Sequence, residues 1–376
     1  MNHHIFFNQS IRSGALVIVT LLFLCGAKSG ETRNIAADLN KSGIAEFPIN
    51  QLKDSLPNAI FTDPGVSVKS FISVIVDDEN TKWFITEKGI LSYNGKKWTL
   101  HDSNTNVPTS ELKDFALEVN QTGSELWIAS PKGATVAAIP VDEKSTATTY
   151  HTANTPIMSN NVFQVAVGKS PIRWFGTDKG ISAFRDSKWL KGDYEDLYPP
   201  TMFQDYPILS MATTIEGDSL YIGTEGAGVS RVQRNQVDGI TGASSYAQWG
   251  PILLPSDKIC SIFIASNNTQ WFGTDKGLAR HVGGNTLTNW TTFTTKEGLV
   301  DNFVQAITAD KNGQIWVGTK GGASLFDGAM WKSLTKDNGL ISNNILSIAV
   351  DKSGVVWFCT DNGISSYLEG KFSSYK

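Results

Sequence analysis

The sequence predicts an all-β fold, a seven-bladed β-propeller of four-stranded antiparallel blades, on three observations. An aromatic residue leading into a small polar turn recurs seven times, at Trp83, Trp127, Trp174, Tyr221, Trp271, Trp316 and Trp357. Successive copies lie 44, 47, 47, 50, 45 and 41 residues apart. Each repeat also divides into four short strand-like runs separated by Asn, Asp and Gly. A period in the forties built from β-type units is the signature of a radial propeller, one repeat per blade.

The clearest copy is Trp271-Phe272-Gly273-Thr274-Asp275-Lys276-Gly277-Leu278, and residues 174–181 nearly duplicate it. The sixth repeat shows the four strands, a to d. Phe303–Thr308 is strand a, Gln314–Gly318 strand b, Ala323–Phe326 strand c and Met330–Leu334 strand d. Asp310-Lys311-Asn312-Gly313 turns the chain between a and b, because Asn and Gly tolerate positive φ and Asp caps turns. All 11 Trp residues fall on strand b or on or near strand d, including Trp98, Trp189, Trp249, Trp290 and Trp331. A residue fixed in every repeat is expected to pack one blade against the next. The Gly of strand b is expected to admit a close neighbour. Closure of the ring has two solutions, an outer strand from residues 58–62 or one from Lys371–Tyr375.

Ahead of the repeats, Arg12 precedes an apolar run of ten residues, Ala15–Leu24, followed by small residues. This reads as a secretory signal over residues 1–29. It is too short for a membrane span of about 20 residues. Cys25 directly after the run raises lipidation, although Leu24 stands where lipoproteins place a small residue; cleavage after Ala27 or Ser29 is the alternative. Residues 30–57 form an extended leader and residues 58–376 the propeller. The protein is therefore expected to be exported: periplasmic, anchored at the outer membrane, or extracellular, with any membrane attachment through a lipid. A net charge of −4 gives no reason to expect nucleic acid. Cys260 and Cys359 lie in different repeats and read as small buried hydrophobes.

No catalytic signature, cofactor motif or metal-ligand spacing is present. Gly223-Thr224-Glu225-Gly226-Ala227-Gly228 falls on a hairpin and opens no helix, so it is not a phosphate loop. His101, His151 and His281 share no ligand spacing. The informative constellation is positional. Aligned on their apolar residues, the a strands share one polar column: Ser73, Asp114, Gln164, Ser210, Ser261, Gln305 and Ser347. Strand a is innermost in a propeller, so this column faces the central channel. Three residues earlier run Ser70, Glu111, Asn161, Pro207, Lys258, Asn302 and Asn344, at the channel mouth. The b–c turns open on the same face and bring carboxylates and lysines of mixed sign. Ligand contacts are expected from Asp114, Glu111, Gln164, Asn161, Lys258, Gln305, Asn302 and Asn344. The competing reading is that these residues merely hydrate the channel wall.

The repeats resemble the two-component regulator propeller family. That family ends strand a with Asp and continues Leu/Ile-Trp-x-Gly-Thr-x-x-Gly-Leu, as Ile315–Thr319 and Trp271–Leu278 do here. The resemblance covers residues 58–376 and implies a secreted sensor propeller, often one that senses carbohydrate for a membrane histidine kinase. The large receptors commonly carry about fourteen repeats and this sequence has seven, with no kinase or later apolar span up to Lys376. What the resemblance implies is binding without catalysis, of a small polar ligand or glycan or of a protein such as a membrane sensor. Two rivals remain: a lyase similar to streptogramin lyases, which are seven-bladed propellers working with a His, carboxylates and a metal, and a protein-binding scaffold.

Overall fold

The computed structural model describes residue 68 and residues 70–101, 107–120, 123–139, 141, 146–168, 172–189, 206–234, 240–247, 254–283 and 288–375. The expected signal, Cys25, the expected leader, residues 58–62 and Trp249 lie outside the described residues. Seven four-stranded sheets are present, each made of four consecutive strands in antiparallel order. Blade one is Phe71–Val76, Lys82–Thr86, Gly89–Tyr93 and Trp98–His101. The inner strands of the other six are Asp114–Asn120, Val162–Val167, Ile208–Thr213, Ile259–Ile264, Val304–Ala309 and Ile345–Val350. Each inner strand neighbours the next, and the seventh returns to the first. Among the described residues the one helical element is a 3-10 turn at Lys336–Asn338. Among the described residues no helix is long and apolar enough to cross a membrane.

The repeated motif explains itself in three contacts. The strand-b aromatic residue is buried in every blade, from Trp127 and Tyr221 at 2% exposure to Trp83 and Trp357 at 4%. At four seams it packs against the strand-b Phe of the following blade: Trp127 on Phe175 with ring centroids 5.5 Å apart, Tyr221 on Phe272 at 6.1 Å, Trp316 on Phe358 at 5.8 Å and Trp357 on Phe84 at 6.1 Å. The strand-b Gly is small because the next blade's inner strand lies against it. A Cβ on Gly176 would stand 2.7 Å from Ile208, and one on Gly318 2.6 Å from Ile345. The Thr that follows ties the b–c turn. In blade six Thr319 Oγ1 donates to the Gly322 carbonyl at 2.7 Å and accepts from the Gly321 amide at 3.1 Å. Thr86, Thr177, Thr274 and Thr360 repeat both bonds, and Ser130 replaces Thr in blade two.

Strand d packs more loosely, as expected for the rim. Trp290 is buried, while Trp98, Trp189 and Trp331 are half-buried against ring neighbours such as Tyr93 at 4.3 Å and Phe326 at 4.7 Å. The two described cysteines are unpaired; Cys359 is buried and Cys260 half-buried.

Of the two closure solutions, Lys371–Tyr375 forms the outer strand of blade seven. Blade one carries its own outer strand, so the described ring closes without exchanging a strand. Side chains make the seam instead. Lys82 Nζ of blade one pairs with Asp351 of blade seven at 3.2 Å, both side chains under 5% exposed. The same ammonium lies 5.4 Å from the Trp357 ring centre. Outside this pair, Lys352 donates its amide to Asn80 Oδ1 at 2.8 Å. Deeper in, the Val74 amide donates to Ser347 Oγ at 3.2 Å.

Candidate functional site: the polar channel

The inner strands bring all seven residues of the predicted polar column to the wall of one central cavity of about 600 Å³. A backbone irregularity near the mouth end governs what the wall displays. In six blades the a–b register slips by one residue there, as between Phe71 and Ser73 or Ile345 and Ser347. A bulge of this kind turns two consecutive side chains toward the same side. Thus Cys260 and Ser261, Gln305 and Ala306, and Leu346 and Ser347 all line the channel.

The bulge also corrects the alignment of blade six. Ala306, not Gln305, pairs with Gly318 and occupies the position of Ser73; Gln305 is the bulged residue. Sequence spacing placed Gln305 in the column because apolar residues flank it on both sides. Asn302 shifts with it. Its Oδ1 accepts from the Thr295 amide at 2.8 Å, which holds the d–a loop, as Asn160 and Asn343 do in blades three and seven. The mouth residue of blade six is Phe303, covered by the Lys320 ammonium 3.8 Å from its ring centre.

The remaining mouth residues meet the b–c turns as the alternation of strands requires. Asn161 Nδ2 donates to Asp178 at 3.3 Å and Asn344 Nδ2 to Asp361 at 3.1 Å. Lys258 Nζ reaches Glu225 of the preceding blade at 2.9 Å, and this bond raises the lysine's proton affinity. The Ser70 amide donates to Glu87 at 2.9 Å. Glu111 is exposed, has a positive φ of 58°, and does not line the channel. It therefore forms no acid pair with Asp114 there.

Much of the polar column is spent on holding blades together. Asp114 Oδ2 accepts from the Val165 amide of blade three at 3.0 Å. Ser210 Oγ donates to the Ile259 carbonyl at 3.1 Å, and Gln305 Nε2 to the Ile345 carbonyl at 2.8 Å and to Asn344 Oδ1 at 2.9 Å. Asp114 touches the channel lumen but is otherwise enclosed by protein. That burial pushes its carboxyl up to about 7, against the pull of the Val165 and Phe115 amides. Near neutral pH it is thus poised between a charged acceptor and a neutral donor.

Three buried acceptors on this half of the ring have no partner among the described residues: Ser261 Oγ on the wall, and Asp178 Oδ1 and Asp275 Oδ1 on the b–c turns. Sequence reasoning placed both aspartates on the b–c turns of the mouth face but left them out of the ligand contacts, because a turn carboxylate looks like ordinary solvated surface; only their buried oxygens mark them. Among the described residues no cluster of three potential metal ligands occurs. His101 and His281 are buried inside blades one and five, bonded to Ser92 and Gln270 respectively, and His151 sits in a d–a loop. His101, at the end of the outer strand of blade one, is 5% exposed and stacked 5.2 Å from Trp83.

Residues 298–321 and 339–362 match the family model described as two component regulator propeller, so the sixth and seventh repeats carry that family's unit. No curated protein matches the chain. Among solved structures, the extracellular domain of a hybrid two component system from B. thetaiotaomicron superposes with a TM-score of 0.64 at 22% identity, over 81% of this chain and 39% of that one. A second such extracellular domain from the same organism gives 0.60 at 17%, over 80% and 38%. The chain thus spans less than half the length of these sensor domains. Virginiamycin B lyase from Staphylococcus aureus gives 0.57 at 16%, over 78% of this chain and 92% of that one. At these identities the likeness shows the fold.

Proposed function

We propose that this propeller is an exported, non-catalytic binding module that takes a small polar ligand, rich in hydrogen-bond donors, at the mouth of its central channel. The observation that carries this reading is the set of orphaned acceptors, Ser261 Oγ, Asp178 Oδ1 and Asp275 Oδ1. A buried acceptor left without a donor costs free energy of roughly 1–3 kcal/mol. A ligand bearing several hydroxyls recovers that cost, and neutral glycans have this character. Concave sites with a few convergent polar groups are where such molecules bind. The shared fold with extracellular domains of two component systems supports export and a sensing role. A membrane sensor that reads the occupied propeller is the protein partner of this scheme.

The lyase reading draws on fold alone, because neither buried His reaches the channel wall. The test is titration calorimetry of the protein against a panel of neutral oligosaccharides, repeated with Asp275→Asn. Saturable binding that falls several-fold in the variant supports the proposal. Binding that ignores Asp178→Asn and Asp275→Asn alike, or no binding across the panel, would remove the mouth as the site.

A further inference from the structure

In four blades a carboxylate meets the indole N–H of the strand-b Trp. Trp83 donates to Asp77 at 2.8 Å, Trp127 to Glu118 at 3.0 Å, Trp316 to Asp310 at 3.4 Å and Trp357 to Asp351 at 3.1 Å. Strand register assigns these acids to one position, two residues beyond the partner of the Trp. The partners are Ile75, Ala116, Thr308 and Ala349. At two seams a cation from the next blade joins them. Lys82 lies over Trp357 and pairs with Asp351; Arg173 lies over Trp127 and its Nε donates to Glu118 at 2.7 Å. Indole, cation and carboxylate form one recurrent unit.

Blade five keeps the indole, lacks the acid, and draws its cation from its own strand c instead of from the next blade. Trp271 pairs with Phe263, so the acid position is Ala265. Gly168 and Thr214 fill it in blades three and four. The Arg280 guanidinium, from strand c of blade five, stands 5.7 Å from the Trp271 ring centre and 5.6 Å from that of Phe293. Its Nη2 donates to Thr291 Oγ1 at 3.3 Å, and its Nε is buried with no partner among the described residues. On the facing blade, Ile315 takes the place that Lys82 and Arg173 hold at their seams, one residue before the Trp. Between blades five and six lies a cavity of about 570 Å³, lined by Trp271, Arg280, Ile315, Phe326, Lys311 and Asp310 among others. It is at the a–b turn end of the sheets, the opposite end from the channel mouth. The Asp310 oxygens are engaged by the Asn312 and Gln314 amides and by Trp316.

We propose that this cavity binds a small organic carboxylate with a planar apolar body. Its carboxylate takes the place that Asp77, Glu118, Asp310 and Asp351 hold in their own blades. Arg280 supplies a charge-assisted hydrogen bond, stronger than a neutral one. Trp271 supplies the second donor, and Lys311 adds positive charge at the rim. Ile315, Phe326 and the indole face take the apolar body, in the manner of small-molecule sites generally.

The test uses indole ¹⁵N–¹H resonances of the labelled protein, with the Trp271 signal assigned from Trp271→Phe. Benzoate is titrated against its neutral isostere benzamide. The proposal expects a saturating downfield shift of the Trp271 signal with benzoate and none with benzamide. Arg280→Gln should weaken benzoate at least tenfold, about 1.4 kcal/mol. Ala265→Asp restores the internal acid, so it should abolish the benzoate response. Absence of a shift at about 20 mM benzoate, which would nearly saturate a site with a Kd of about 1 mM, overturns the proposal. So does an equal response to benzamide, or an undiminished response in Ala265→Asp. If Ala265→Asp does not fold, Arg280→Gln decides: unchanged benzoate affinity there overturns the site.

Discussion

Asp114→Asn keeps the shape of the side chain and an oxygen for the Val165 amide, and removes the charge. In the folded protein the carboxyl is pushed up from 3.8 to about 7 by burial. A carboxylic acid raised on folding holds its proton over a window in which the unfolded chain has lost it. Between pH 4 and 7 the folded state therefore binds more protons, and Asp114 makes the wild type less stable as pH rises through that window. Each pH unit of displacement is worth about 1.4 kcal/mol, so the ceiling is about 4 kcal/mol. Channel water screens part of this, and about 1–3 kcal/mol is expected. The assay is urea unfolding of both proteins at pH 4, 6 and 8 at constant ionic strength. Other titrating groups are common to both and cancel in the difference. The two should be nearly equal at pH 4, with the variant increasingly more stable by pH 8. A difference that stays flat with pH would refute the raised carboxyl. A variant that loses ground as pH rises would mean that the charged form is stabilised by the fold.

The remaining predictions concern the ring. Trp316→Ala should cost about 3–5 kcal/mol, as large-to-small core changes do, because Trp316 is 3% exposed and shared with Phe358 of the next blade; coincident denaturant midpoints would place it outside the core. Lys82→Met leaves Asp351 buried without its cation and should cost about 3–5 kcal/mol. Since blades one and seven meet there without an exchanged strand, amide exchange should accelerate first along Phe71–Val76 and Ile345–Val350. Acceleration confined to blade four would disprove the seam's role.

The blades were legible in the sequence because seven indole or phenol rings at a fixed place in a repeat have few structural explanations besides packing. The channel wall was legible for the same reason, except in blade six. There a bulge adds one residue, and flanking apolar residues cannot say on which side of Gln305 the slip falls. The Lys82–Asp351 seam joins residues 269 positions apart (351 minus 82) and has no local signature. Asp178 and Asp275 were visible as turn acids, but their buried oxygens depend on how neighbouring loops pack over them. The empty acid position at Ala265 emerges only when strand register fixes which residue of each blade faces the indole.

The proposal that a ligand occupies the channel mouth is tested most directly by hydrogen–deuterium exchange, with and without a saturating neutral oligosaccharide selected by calorimetry. Protection should concentrate in the b–c turns, residues 178–179, 225–228 and 275–276, and in the adjoining starts of the inner strands. Protection confined to the a–b turns at residues 77–81, 310–314 and 351–355, at the other end of the sheets, would contradict it.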